Sequence, residues 1–293
     1  MKRQALVFSI IGGDTRQRYC IELLALRDHV VKAFGFKNIE SSDNVKIYRE
    51  ITSELLDCDV LLLPIPYKDK NGYINFKEID IQIEPEEILD NISPSTIVIL
   101  GKADEKFKKI ANNKKLTWYD ILEEEAFSIL NAIPTAEGAI QKAMEMTDIT
   151  LHGAKVLVLG YGRIGKSLSR MLKGIGSHVT VEARNNKDLA WIKENGYNPV
   201  HLEELDSVLP YQDIIFNTIP YMILDRKKLE LVPKHAIIID LASYPGGVDF
   251  IAAKDLGIHA SLELGLPGIV APKTAADTIC SVVLDIIKEI SRQ

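Results

Sequence analysis

The stretch Val156-Leu157-Val158-Leu159-Gly160-Tyr161-Gly162-Arg163-Ile164-Gly165 leaves few folds open. An apolar run reads as a buried strand, and glycines spaced G-x-G-x-x-G read as a turn. Leu168, Met171 and Leu172 then recur on one face of a helix. The first glycine permits the tight turn, the second lets a pyrophosphate approach the backbone, and the third lets helix and strand pack closely. The helix N-terminus adds unpaired N–H groups and a partial positive charge. Strand, turn and helix together read as a dinucleotide site rather than an empty turn.

The rest of the 293 residues alternates short apolar runs with amphipathic stretches, the pattern of α/β proteins with parallel sheets. Expected strands are Ala5–Ile11, Val45–Tyr48, Val60–Pro64, Thr96–Leu100 and Leu116–Tyr119, then Lys155–Gly160, His178–Ala183, Asp213–Thr218, Ala236–Leu241 and Ile258–Leu262. A helix is expected over about Arg16–Ala33, with Ile21, Leu24 and Val31 on one face, and another over about Pro134–Thr147. The polar segment Ile65–Glu84 reads as a surface excursion with a hairpin around Asn71-Gly72. In the last helix, about Pro272–Ser291, Ile279, Val282, Val283, Ile286, Ile287 and Ile290 form a stripe that must be buried.

Length at about 150 residues per domain suggests two domains. Lys and Arg number 35 against 41 Asp and Glu, a formal charge of −6 that argues against a nucleic-acid binder. No apolar run reaches the roughly 18 residues of a membrane span. Met1-Lys2-Arg3 followed by Ala5–Ile11 has a trace of a signal peptide, but the apolar part is short and runs into Gly12-Gly13-Asp14. Cys20, Cys58 and Cys280 are far apart and read as reduced core thiols of a cytosolic protein. The six histidines show no metal spacing, so no metal site is expected. No G-x-S-x-G elbow or Cys–His arrangement points to a covalent hydrolase.

The strand after the glycine turn bears on which dinucleotide binds. Glu182 is a candidate carboxylate for a ribose 2′-hydroxyl. Val179 and Val181 share a face with Ala183, however, so Glu182 is expected on the other face and Ala183 at the ribose. Arg184 and Asn185 then offer charge-assisted bonds to a 2′-phosphate, which favours NADP over NAD; a solvated surface arginine is the plain alternative. Two further strand ends, Asn217-Thr218-Ile219-Pro220 and Asp240-Leu241-Ala242-Ser243, fall where ligands bind in such sheets, and Gly265-Leu266-Pro267-Gly268 leads into the final helix. Near the start, Gly12-Gly13-Asp14-Thr15-Arg16 lacks a third glycine and is no second dinucleotide site. Its N–H groups, Thr15 and Arg16 suit a carboxylate substrate. Thr135 is a helix N-cap or a substrate contact, and Glu137 a first-turn carboxylate.

These motifs, together with Pro134-Thr135-x-Glu137-Gly138, Ser243-x-Pro245-Gly246-Gly247 and Leu266-Pro267-Gly268-x-x-Ala271-Pro272-Lys273-Thr274-Ala275, resemble the A-subunit family of bacterial dipicolinate synthases across essentially the whole chain. The wider architecture is similar to D-2-hydroxyacid dehydrogenases and S-adenosylhomocysteine hydrolases. The resemblance implies an α/β protein of two doubly wound Rossmann-like domains with parallel sheets, the C-terminal helix returning to the N-terminal domain. Residues 1–132 with 272–293 would form the substrate domain, and 133–271 the NADP domain with its connecting helix. It implies NADP-dependent oxidation of dihydrodipicolinate to dipicolinate in endospore formers, in the mother-cell cytoplasm, with a flavoprotein-like B subunit as partner. The expected assembly is also a homo-oligomer. The dehydrogenases' catalytic Arg and His have no counterpart at Ser243-Tyr244 and Leu266-Pro267-Gly268, which counts against a stand-alone amino or hydroxy acid dehydrogenase. The reading as a nucleotide-binding partner without chemistry of its own stays open. A substrate with two carboxylates implies Arg16, Thr15, Thr135, Ser243, Gly268, Lys273 and Thr274 as contacts. Glu137 and Asp14 are the candidate proton acceptors, since enclosure raises a carboxyl pKa, and water is a third.

Overall fold

The computed structural model describes residues 5–292; the basic start Met1-Lys2-Arg3 lies outside them. The chain forms two compact units. One runs to Ser128 and takes in the chain from Ala271 on, and the other is Ile129–Val270. Among the described residues no helix is long and apolar enough to cross a membrane.

The first unit holds strands β1 (Val7–Ile11), β2 (Val30–Phe34), β3 (Val45–Tyr48), β4 (Val60–Leu62), β5 (Ile97–Leu100) and β6 (Thr117–Asp120). They pair in the order β3-β2-β1-β4-β5-β6, all parallel. The second unit repeats the plan with β7 (Lys155–Leu159), β8 (His178–Ala183), β9 (Asn198–His201), β10 (Ile214–Asn217), β11 (Ile237–Asp240) and β12 (His259–Leu262). Its order is β12-β11-β10-β7-β8-β9, again parallel throughout. Both are doubly wound Rossmann-like sheets whose direction of winding reverses at the first strand, where such folds bind ligands. Helices cover both faces, so central strands such as Ile214–Asn217 and Ile237–Asp240 are buried throughout and read as continuous apolar runs.

The helices that position the sites are α1 (Thr15–Ala25), α2 (Glu125–Met146), α3 (Arg163–Ile175), α4 (Arg226–Leu229), α5 (Leu266–Val270) and α6 (Pro272–Ile290). On α6, Ile279, Val282, Val283, Ile286 and Ile287 enter one core with Phe8, Ile10, Cys20, Ile21 and Leu24. The final helix therefore belongs to the N-terminal sheet. Cys20 and Cys280 are buried free thiols in this core, where burial pushes Cys20 up, and Cys58 is half-buried.

Three expectations need correction. The first helix stops at Ala25, and the chain turns through Asp28 at φ 63°. Val31 belongs to β2, where Val31 and Ala33 are buried while Val30 and Lys32 are half-exposed. Its place on the helical face of Ile21 and Leu24 was a coincidence of spacing; period two wins. The edge strand β9 has no strand signal in the sequence, because Asn198-Pro199-Val200-His201 is short, polar and carries a proline, which an edge tolerates. The connecting helix starts at Glu125, nine residues before Pro134, which sits inside it. The Asn71-Gly72 hairpin does form: the Asp69 N–H donates to Tyr73 O at 2.8 Å, with Gly72 at φ 94°.

Ile279 is fully buried. Ile279→Ala is expected to cost about 2–5 kcal/mol in a urea titration; a loss below about 1 kcal/mol would contradict the docking of α6 as a core element.

Candidate nucleotide-binding site

The glycine turn links β7 to α3. Gly160 adopts φ 92°, a conformation that glycine tolerates without strain. A Cβ at Gly165 would lie 2.1 Å from Gly160 O, so any side chain there would drive α3 off the strand. A Cβ at Gly162 would meet nothing within 4 Å, and this residue caps α3 without a side-chain hydrogen bond. Open space beside an uncapped helix N-terminus fits a pyrophosphate. Arg163 is exposed and Ile164 packs against the core of this unit. Tyr161 stacks edge-on to Tyr197 at 6.5 Å, with Lys166 Nζ 5.4 Å from its ring centroid.

At the carboxyl edge, Leu159 pairs in register with Glu182 and Asn217, and Asn217 pairs with Asp240. This places three polar side chains in one row on one face of the sheet. Asn217 and Asp240 are fully buried and satisfy each other. Asn217 Nδ2 donates to Asp240 Oδ1 at 2.8 Å, and Asn217 Oδ1 accepts from the Ile219 N–H at 3.0 Å. Asp240 also accepts from the N–H groups of Ala242 (3.0 Å) and Gly247 (2.7 Å). A Cβ at Gly247 would lie 2.4 Å from Asn217 Nδ2, which explains the glycine. The Thr218 hydroxyl donates to Leu159 O at 2.8 Å. The loops that begin at Thr218, Ile219, Pro220 and Leu241, Ala242, Ser243 are thus tied to each other and to the glycine turn. Ser243 itself is exposed.

Glu182 departs from expectation. It does lie on the face opposite Val179, Val181 and Ala183, but its carboxylate reaches the turn, and Oε2 accepts the Gly160 N–H at 3.1 Å. Ala183 packs in the core instead of standing at the loop. Glu182 is 1% exposed and its Oε1 has no partner among the described residues. Burial raises its pKa, against the opposing Gly160 N–H and the charge of Arg184. Asn185 is also corrected: its side chain caps the next helix, accepting from the Asp188 N–H at 2.8 Å and donating to Asp188 Oδ2 at 2.7 Å. Arg184 is exposed and makes no ion pair among the described residues. It borders a cavity of about 270 Å³ whose apolar wall includes Leu202, Ile219, Tyr221 and Met222, with Lys228 on its margin. No local motif announces Leu202, Tyr221, Met222 or Lys228; only the strand order brings them beside Arg184.

The expected substrate contacts divide between the units. Asp14, Thr15, Arg16, Lys273 and Thr274 belong to the first; Thr135, Glu137, Ser243 and Gly268 belong to the second. Asp14 caps α1 in a reciprocal box with Gln17. Arg16 is 8% exposed, and its guanidinium is held by Asp14 (2.8 Å) and Ile65 O (2.6 Å). Arg16 thus braces the Gly12-Gly13 turn, while Thr15, Lys273 and Thr274 stand exposed. Burial pushes the Asp14 carboxyl up, but the bonds and charge of Arg16 outweigh it and hold the pKa below the ordinary range. That is the reverse of a raised-pKa proton acceptor. Thr135 is no N-cap: it lies within α2, its hydroxyl donating to Asn131 O at 2.8 Å. Glu137 is accordingly mid-helix, and exposed. Gly268 lies in α5. Among the described residues no group of three His, Cys, Asp or Glu side chains is arranged to hold a metal ion.

Asp240→Ala strips partners from Asn217 and two buried amides, at about 1–3 kcal/mol for each orphaned group; an unchanged urea midpoint would refute the bracing role. Asp14 supplies stability that is fully present above its unfolded pKa and lost as pH falls through its lower folded value. The stability advantage of wild type over Asp14→Asn should therefore shrink from about pH 5 downward, and a constant difference would count against the pairing.

The comparisons with known proteins fall in line with this architecture. Residues 7–122 match the family model of the N-terminal domain of the dipicolinate synthase A subunit. Residues 130–243 match that of the D-isomer specific 2-hydroxyacid dehydrogenase, NAD binding domain. The dipicolinate synthase A subunit of Bacillus subtilis (strain 168) is 34% identical over 291 residues, 98% of each chain. The crystal structure of the corresponding protein from Bacillus halodurans superposes with a TM-score of 0.89 at 36% identity, covering 96% of this chain and 97% of that one. A transhydrogenase from Sinorhizobium meliloti, 14% identical with a TM-score of 0.67 over 95% of this chain and 94% of that one, shares the fold alone. With a relative 34% identical over almost its whole length and a nicotinamide-dinucleotide domain of the dehydrogenase type, this chain belongs to the dipicolinate synthase A-subunit family.

Proposed function

We propose that the chain oxidises dihydrodipicolinate to dipicolinate with NADP⁺, as the A subunit of an enzyme completed by a flavoprotein-like B subunit, in the mother cell of a sporulating bacterium. The observation that carries this is the likeness to A-subunit relatives over 98% of the chain, joined to a glycine turn with room for a pyrophosphate at Gly162. Gly160 to Gly165 and the Asn217 and Leu241 loops would hold the dinucleotide, and Arg184 its 2′-phosphate. A bound oxidised nicotinamide supplies the hydride acceptor. The substrate ring loses one hydride and one proton and becomes aromatic, so the protein mainly has to hold two carboxylates and receive a proton. In the first unit Lys273, Thr274 and Thr15 are exposed donors suited to carboxylates, and water takes the proton. Arg16 and Asp14 are committed to each other and serve the turn.

One observation favours NAD(H) as a second reading: Glu182 keeps a buried, unpartnered oxygen beside Gly160, where a ribose hydroxyl would donate to it.

The test mixes freshly generated dihydrodipicolinate and NADP⁺ with the purified chain, alone and with the B subunit. Dipicolinate absorbance rising with NADPH in equal amounts is the expected result. Turnover by the chain alone would show that its chemistry is its own, and no turnover even with both proteins present would overturn the proposal.

A further inference from the structure

We infer that Lys228 is a second cation of the nucleotide site, closing with Arg184 on the phosphate attached to the adenosine ribose; this rests on the NADP reading above. Four observations converge. First, Arg184 and Lys228 border the same cavity of about 270 Å³, although they lie far apart in sequence. Second, that cavity adjoins the glycine turn: Ile219 forms part of its wall, and a Cβ at Gly160 would come within 3.0 Å of Ile219 Cγ1. Third, the rest of the cavity's lining is largely apolar, with Leu202, Tyr221 and Met222, and the last two are 69% and 60% exposed. Large exposed apolar side chains beside a phosphate-binding turn suit the flat face of a purine.

The fourth observation is electrostatic. Lys228 and Arg184 have no ion-pair partner among the described residues. Arg226, two positions before Lys228 on α4, is by contrast paired with both Glu230 (3.7 Å) and Asp255 (3.2 Å). In a chain of net charge −6, two cations without ion pairs on one small cavity are a place for a dianion. The backbone of Lys228 is fixed, its N–H donating to Asp225 Oδ1 at 3.0 Å, so α4 presents the side chain from an anchored base. The cavity thus has apolar walls for a base and two free cations for a phosphate. A site reading only a 2′-hydroxyl would need neither cation.

The test measures NADP⁺ and NAD⁺ dissociation constants for the full-length chain and for Lys228→Gln, Lys228→Arg and Arg184→Ala, with thermal melts to show that each variant folds. Lys228→Gln is expected to weaken NADP⁺ roughly 10- to 100-fold, one charge-assisted phosphate contact, and to change NAD⁺ less than about twofold. Lys228→Arg should recover most of the loss, and Arg184→Ala should match Lys228→Gln in direction. If wild type prefers NADP⁺ but Lys228→Gln weakens both nucleotides equally or neither, the two-cation clamp is wrong while the NADP reading stands. If wild type prefers NAD⁺, the NADP reading fails and takes the clamp with it.

Discussion

At Gly165 a hydrogen stands where any other residue would place a β-carbon 2.1 Å from a backbone oxygen. That single close approach lets α3 begin directly at the end of β7. The helix N-terminus then lies beside Gly162, with no side chain filling the space and none capping the first turn. Everything proposed for the second unit follows from this placement. The helix dipole and the unpaired N–H groups have a fixed address, and the neighbouring strand ends are ordered around it.

What orders them is the row Glu182, Leu159, Asn217 and Asp240. Parallel pairing brings these residues level, and their shared parity turns the polar ones to the same face. Asn217 and Asp240 direct their hydrogen bonds to each other and to the loops beyond them, which ties those loops to the strand ends. Glu182 uses only one oxygen. This half-satisfied buried carboxylate lies within electrostatic reach of Arg184, whose charge works against the rise in pKa that burial imposes. The overall charge of −6 is no guide here, because Arg184 and Lys228 are local and make no ion pair among the described residues.

The first unit shows the same economy with different parts. Its Gly12-Gly13 turn resembles the glycine turn of the second unit in position, at the end of the first strand. Yet Asp14 caps α1 and Arg16 is drawn back onto Asp14 and the Ile65 carbonyl. The helix N-terminus is thereby occupied by the chain itself, leaving Thr15 as the exposed group. Asp14 and Arg16 looked like ligand residues in the linear chain because each is chemically suited to the task. Their proximity converts two candidate ligands into one ion pair.

Much of this protein was legible in order of residues. Local chemistry carries the glycine turn, the apolar strands and the amphipathic stripe of α6, because each depends on neighbours within a few positions. So do the strand ends at Asn217 and Asp240. Local signals are degenerate at three places. Val31 fitted a helical face by chance, Pro134 suggested a helix start inside a helix, and Pro199 hid an edge strand. The remaining features depend on residues that only strand order makes neighbours. Glu182 reaches Gly160 because β8 lies beside β7, and Lys228 faces the same cavity as Arg184 because β8 and β10 flank β7. The sequence by itself determined a parallel α/β fold and its glycine turn, through backbone sterics and periodicity. Which charges are free and which are neutralised was decided by the tertiary structure, because Coulomb and hydrogen-bond energies depend on distances in space.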